Sequence, residues 1–271
     1  MTSLSALPSL ADPAAPAAPP TPVGAMILAA GRGERMRPLT DHTPKPLLHV
    51  RGKPLMQWPM EALARQGFTR FVVNTAWLGE QISDYFGTLR NRDGRSLLSI
   101  SDTGTSPLSI TYSHEGLDFG GALETAGGIV RALPLLGTYF WVLAGDVFAP
   151  DFRFEPEAVQ QFIAGGKLAH LWLVPNPAHN PKGDFGLSDE GLALNHAPQM
   201  FTFSTVGLYH RALFAPPYCD IPPGNPVGQR AALAPLLRKA IDCGLVSATL
   251  YTGEWTDVGT PERLACLTEA A

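Results

Sequence analysis

The sequence predicts an α/β fold: a doubly wound, mostly parallel, Rossmann-like sheet flanked by helices. Three observations predict it. Short unbroken apolar runs recur at Ala25–Ala30, Arg70–Asn74, Tyr139–Ala144 and Ala169–Val174, and strands buried on both faces read as such runs. Helical patterns separate them, so the alternation of strand and helix calls for right-handed crossovers between parallel strands. The chain has 271 residues, 45% of them hydrophobic, enough to cover both faces of one large sheet.

The elements follow in chain order. Residues 1–24 are rich in Pro and Ala without periodicity and read as a disordered, polyproline-leaning tail. Residues 25–271 read as a single domain. The tail lacks a basic leading region and a continuous apolar stretch, so it makes a poor secretion signal. Ala25–Ala30 opens the sheet and stops at Gly31. A helix is expected over Pro54–Gln66, starting late or kinked because Pro59 interrupts it. Strand Arg70–Asn74 precedes a helix at Gly79–Phe86. Leu108–Ser113 alternates, which suits an edge or antiparallel strand. Helix Thr125–Leu133, strand Tyr139–Ala144, helix Pro156–Ala164 and strand Ala169–Val174 come next. From Pro175 to Pro226 the chain is loop-rich, with one strand candidate at Thr202–Tyr209. A helix over Gln229–Cys243, a strand in "LVSATLY", a turn in "GEWTDVGT" and a helix carrying Pro261 and Glu262 in its first turn complete it.

Composition excludes several classes. A net charge of −4 argues against a nucleic-acid partner, which usually meets a broad basic field. No stretch is long and apolar enough to span a membrane, so no membrane association is expected. The 3 cysteines are scattered and odd in number, fitting neither a disulfide framework nor zinc spacing. A reducing cytoplasm is the expected location. Three of the five tryptophans read as core; Trp77 and Trp255, at strand ends, could wall the cleft, with core the favoured reading.

The functional signal begins where the first strand ends. "MILAAGRGERMRPLTDHTPKPL" places Gly31, Arg32, Gly33, Arg35, Arg37 and Lys45 beyond the carboxyl end of a buried strand, where ligands of open α/β sheets bind. Glycines let backbone N–H groups approach a ligand closely, and arginine offers a planar fork to phosphate oxygens. The dinucleotide motif fails, because Met36 stands where its third glycine belongs, and the Walker motif is absent. Pro44 and Pro46 flank Lys45 and stiffen the segment that carries it, which lowers the entropy lost in fixing its charge on a phosphate. A solvated cationic turn is the alternative for the lysine alone.

Asp146 follows another apolar run, at a strand's carboxyl end. Asp257 lies in a tight polar turn. Mg²⁺ is typically held by one or two carboxylates plus phosphates and water, so the two could share a metal. Turn or helix capping is an equal reading of each. Glu124 begins a helix after a glycine-rich turn and could instead cap it or pair with its dipole. Asn74, at a strand end, could read a base or a sugar, or cap a turn.

"LAAGRGERMRPLT" followed by "PKPL", with "AGD" and "WTDVGT" later in the chain, resembles the signature of the sugar-phosphate nucleotidyltransferases, the nucleoside-diphosphate-sugar pyrophosphorylases. The resemblance spans about Met26 to Leu267. It implies the nucleotide-diphospho-sugar transferase fold and a reaction in which a sugar 1-phosphate displaces pyrophosphate from a nucleoside triphosphate. It implies catalytic roles for Arg35 and Lys45, and Mg²⁺ held by Asp146 and Asp257. Nucleotide contacts are implied for Ala29, Ala30, Gly31, Arg32, Gly33, Glu34, Asn74, Gly127 and Gly128. Sugar contacts are implied for Glu124, Asp184, Gly186, Ser204 and Thr205. "LETAGG" and "VNTAWLGEQI" are similar to the branch using UTP and N-acetylmuramic acid 1-phosphate in cell-wall recycling. GTP with mannose 1-phosphate, and UTP or dTTP with glucose 1-phosphate, are the alternatives. A monomer is expected, since there is no room for the β-helical extension by which some relatives associate.

Overall fold

A computed structural model of the protein describes residues 23–88 and 108–269. The expected tail therefore lies outside the described residues, apart from Val23 and Gly24. Strand β1 (Gly24–Ala29) is followed by three short 3₁₀ turns, at Glu34–Met36, Leu39–Asp41 and Lys45–Leu47. A two-strand ribbon, β2 (His49–Val50) and β3 (Lys53–Pro54), leads into helix α1 (Gln57–Arg65). That helix starts three residues after Pro54 and places Pro59 in its first turn, where a missing N–H costs nothing. Next come β4 (Arg70–Thr75), α2 (Gly79–Thr88), β5 (Ser109–His114), a short α3 (Glu115–Phe119) and α4 (Glu124–Ala132). Strand β6 (Tyr139–Ala144) and the two-residue β7 (Val147–Phe148) bracket Gly145 and Asp146. Helix α5 (Pro156–Gly165), β8 (Ala169–Val174), β9 (Phe185–Leu187), β10 (Ala193–Leu194) and the long β11 (Met200–His210) follow. The chain closes with α6 (Ala234–Asp242), β12 (Val246–Leu250), β13 (Thr256–Asp257) and α7 (Pro261–Glu269).

The described residues form a mostly parallel central sheet with flanking helices. Strands β5, β4, β1 and β6 are consecutive parallel neighbours. Strand β11 then runs antiparallel to both β6 and β8, β12 pairs parallel with β8, and β9 and β10 extend from the first residues of β11. The alternating segment at Leu108–Ser113 is an edge strand, but a parallel one. Along β1, Met26 packs into one core while Ala25, Ile27 and Ala29 pack into the other. An unbroken apolar run is what such double burial requires.

A third, smaller core positions the functional region. Met36, fully buried, packs with Phe148, Val258, Leu55 and Leu267. It thereby ties the arginine-bearing loop to the β7–β13 ribbon and to α7. No helix among the described residues is long and apolar enough to cross a membrane.

Candidate active site

A cleft of about 910 Å³ opens over the carboxyl ends of β1, β4 and β6. The segment from Ala29 to Arg35 forms one wall, with Lys45, Asn74, Glu124, Asp146, Asp184 and Thr205 around it. Gly33 has φ +67, and a side chain there would meet Thr40 and Lys45 at 3.0 and 3.3 Å. Only glycine lets the loop turn that tightly against the lysine segment.

The loop's cations divide by their partners. Arg32 lies 3.4 Å over the Trp77 ring, donates 2.9 Å to the Thr40 carbonyl and pairs with Asp41 at 3.3 Å. Arg37 pairs with Asp41 at 3.2 Å. These two are bound internally and brace the loop. Arg35 lines the cleft, is exposed, and has no ion pair among the described residues. Trp77 donates 3.0 Å to the same Thr40 carbonyl, and Trp255 donates 3.1 Å to the Ser204 carbonyl. Both are half-buried rather than core residues: Trp77 braces the loop at Thr40 and Trp255 braces strand β11 at Ser204, since a buried ring N–H needs a partner.

Lys45 is buried and forms an ion pair with Asp146. Its segment is a tight turn, closed by Leu47 N donating to Pro44 O at 2.9 Å. Asp146 and Asp257 come together through the ribbon: Asp257 sits opposite Val147 in register, and Val258 N donates 2.9 Å to the Asp146 carbonyl. Asp146 lines the cleft. Asp257 does not; its Oδ1 is held by Arg263 Nη1 at 2.5 Å and by His179 Nε2 at 2.9 Å. Its Oδ2 lies 3.1 Å from the Cβ position of Gly259, which does line the cleft. Among the described residues no group of three or more His, Cys, Asp or Glu side chains is arranged to hold a metal. Two carboxylates with only oxygen donors nevertheless suit Mg²⁺, which takes one or two protein carboxylates and fills its shell with phosphate and water.

Sequence reasoning missed the group that holds this wall together. Glu115 is fully buried and accepts 2.7 Å bonds from Asn74 Nδ2 and from Leu123 N. Asn74 Oδ1 in turn accepts from Ala29 N at 2.9 Å. The network locks the end of β1 to β4 and to the start of α4. Burial raises the Glu115 pKa above its usual range, against the lowering effect of the Leu123 and Asn74 hydrogen bonds and the Arg131 charge. One glutamate between an edge strand and a glycine-rich turn carries no motif, so nothing in the sequence singles it out.

Several expected contacts lie elsewhere. Gly127 and Gly128 are buried in α4 and do not line the cleft. A side chain on Gly128 would sit 2.5 Å from Glu115 Oε1 and 3.0 Å from Asn74 Nδ2, and one on Gly127 would sit 2.6 Å from the Gln229 carbonyl. They are glycines because other groups press on them. Gly186 is buried in β9, and Ser204 donates 2.6 Å to the Trp172 carbonyl within the sheet. Asp184 lines the cleft, yet its Oδ2 accepts 2.8 Å from Phe203 N and 3.2 Å from Asn180. Glu124 and Thr205 both line the cleft with left-handed backbone, at φ +60 and +67, a conformation costly for residues other than glycine. Thr205 lies in the irregular stretch of β11 between Phe203 and Gly207.

Residues 24–194 match the nucleotidyl transferase family. An N-acetylmuramate alpha-1-phosphate uridylyltransferase of Neisseria meningitidis serogroup B is 45% identical over 247 residues, covering 89% of this chain and 94% of that protein. A protein of the same name from Caulobacter vibrioides is 28% identical, covering 88% of this chain and 92% of its own. A UTP–glucose-1-phosphate uridylyltransferase of Synechocystis is 32% identical, and this chain spans 60% of its length. Among solved structures, a Bacillus anthracis protein assigned as a glucose-1-phosphate thymidylyltransferase superposes with a TM-score of 0.70 at 19% identity. It covers 92% of this chain and 95% of its own, a likeness of fold.

Proposed function

The chain belongs to the nucleotidyl transferase family, and from that premise we propose that it transfers the uridylyl group of UTP to N-acetylmuramic acid 1-phosphate, giving UDP-N-acetylmuramic acid and pyrophosphate. The relative at 45% identity across nearly both full lengths carries this reading. Relatives that act on glucose or mannose phosphates in name are 32% and 27% identical. Residues 25–271 act as one catalytic domain, monomeric and cytoplasmic, in peptidoglycan recycling.

The reaction asks for positioning rather than activation. A phosphate monoester has a second pKa of about 6, so the attacking oxygen is already largely anionic at neutral pH. It forms a bond to the α-phosphorus in line as the bond to the bridging oxygen breaks, and pyrophosphate departs with that electron pair. Arg35, at the cleft wall and without an ion pair among the described residues, stabilises negative charge on the α-phosphate and the leaving group. Lys45 bridges phosphate oxygens from its stiff turn. Backbone N–H groups from Ala30 to Glu34 cradle the triphosphate. Glu124, Asp184 and Thr205 face the sugar.

Asp146 and Asp257 would hold Mg²⁺. When bound there, the ion supplies charge neutralisation and clamps the substrates. In the structure Asp146 pairs with Lys45 and Asp257 with Arg263, so neither carboxylate stands in its partly buried place without an opposite charge.

A panel of nucleoside triphosphates against sugar 1-phosphates, read by pyrophosphate release, tests this. UTP with N-acetylmuramic acid 1-phosphate is expected to give the highest kcat/KM. Turnover of a hexose phosphate with none of the muramic acid derivative would replace the substrate and keep the reaction type.

A further inference from the structure

Three arginines line the cleft, and only two have a place in phosphate chemistry or loop bracing. Arg32 is bound to Asp41 and Trp77, and Arg35 faces the triphosphate cradle. The third, Arg238, comes from α6 at the opposite wall, beside Asp184 and Phe185. Strand β9, which carries Phe185, is separated from β1 by β11 and β6. Arg238 is therefore remote in the sheet from the loop that holds the phosphates.

Its partners are neutral and distant. Nη1 reaches Asn195 Oδ1 at 3.3 Å, Nη2 reaches the Asp184 carbonyl at 3.4 Å, and the guanidinium stands 5.2 Å over the Phe185 ring. The carboxylates that could neutralise it are engaged elsewhere. Asp242, one turn on in the same helix, accepts 2.7 Å from Asn195 Nδ2. The Asp184 carboxylate accepts from Phe203 N and Asn180. The result is an exposed guanidinium, with no carboxylate partner among the described residues, held by weak neutral contacts at the cleft wall that carries Asp184.

An unneutralised guanidinium at a binding wall matches a planar anion, since its fork pairs with both oxygens of a carboxylate. The function proposed above seats the phosphates of both substrates at the other wall. We propose that Arg238 binds a carboxylate borne by the sugar itself, making the site selective for acidic sugar 1-phosphates over neutral ones. Resting on the function proposed above, this assigns Arg238 to the lactyl carboxylate of N-acetylmuramic acid 1-phosphate. N-acetylglucosamine 1-phosphate has the same ring and acetamido group without that carboxylate.

The test compares wild type, Arg238→Gln and Arg238→Lys. The KM for N-acetylmuramic acid 1-phosphate is read from pyrophosphate release. The inhibition constant of N-acetylglucosamine 1-phosphate is read in the same assay. Arg238→Gln is expected to raise the KM about 10- to 100-fold, the worth of a charge-assisted hydrogen-bonded pair, with a small change in kcat and none in the inhibition constant. Arg238→Lys is expected to recover part of the loss, and raised salt to narrow the gap between variants. An unchanged KM in Arg238→Gln overturns the proposal. So does an equal weakening of both sugar phosphates in both variants, which would mark a purely structural role. Failure of wild type to use the acidic sugar at all would overturn the proposed function instead.

Discussion

At the scale of single residues, cations of one loop that look alike in sequence divide by their partners. "GRGERMR" presents three arginines at similar spacing. Asp41 claims two, and its position alone did not reveal that, because the pairing depends on how the 3₁₀ turns fold the loop back on itself. Arg35→Ala is expected to lower kcat about 10²- to 10³-fold, the usual cost of losing one preorganised charge donor, while the melting temperature stays as in wild type. An equal loss of activity in Arg37→Ala would count against the division. Glu115 makes a second prediction, in pH. Its pKa is raised in the fold, chiefly by burial, so the folded state binds more protons than the unfolded one, and this residue's stabilising effect is full below the ordinary glutamate range and lost as pH rises through the raised value. Lowering the pH from 7.5 towards 5 should therefore shift stability in favour of wild type relative to Glu115→Gln, measured by denaturant melts. A gap that widens in the variant's favour would reverse the assignment.

At the scale of elements, most strands and helices were legible because burial on two faces leaves a simple mark. Tyr139–Ala144 and Ala169–Val174 match β6 and β8 to the residue, β4 runs one residue longer than expected, and β1 is shifted by one residue at both ends. Elements with mixed surroundings were harder to read. Helix α6 begins at Ala234, not Gln229, since residues 229 and 231 spend their backbone groups on Asn225, Leu123 and α4. The two-residue strands β7 and β13 are too short to show any period, yet they join the two aspartates. Helix α4 supplies the prediction at this scale. Glycine to alanine within a helix ordinarily gains about 1 kcal/mol, but a Cβ at Gly128 would lie 2.5 Å from Glu115 Oε1. Gly128→Ala should instead lose about 1–3 kcal/mol, the range for overpacking a core, and should raise the KM for UTP by loosening Asn74. A stabilised variant would show that the Glu115 network yields easily.

At the scale of the whole molecule, the cleft is assembled from segments far apart in the chain, held in place by a core separate from the main two. Met36, Phe148, Val258 and Leu267 form that core, and Arg35, Asp146 and Asp257 each stand within two residues of a member. Its apolar members read as ordinary hydrophobic positions, so the sequence offered two candidate metal-binding aspartates without the ribbon that sets their backbones side by side. The ribbon that unites the aspartates is the feature on which the proposed chemistry depends. The most direct measurement is pyrophosphate release from UTP and N-acetylmuramic acid 1-phosphate in Mg²⁺, by wild type and by the Asp146→Asn, Asp257→Asn double variant, with circular dichroism confirming the fold. Wild type should turn over and lose activity to a chelator, while the double variant should fall by about 10³-fold or more, as expected when metal-borne charge stabilisation is removed. Undiminished turnover in the double variant, or in wild type under chelation, would contradict the account.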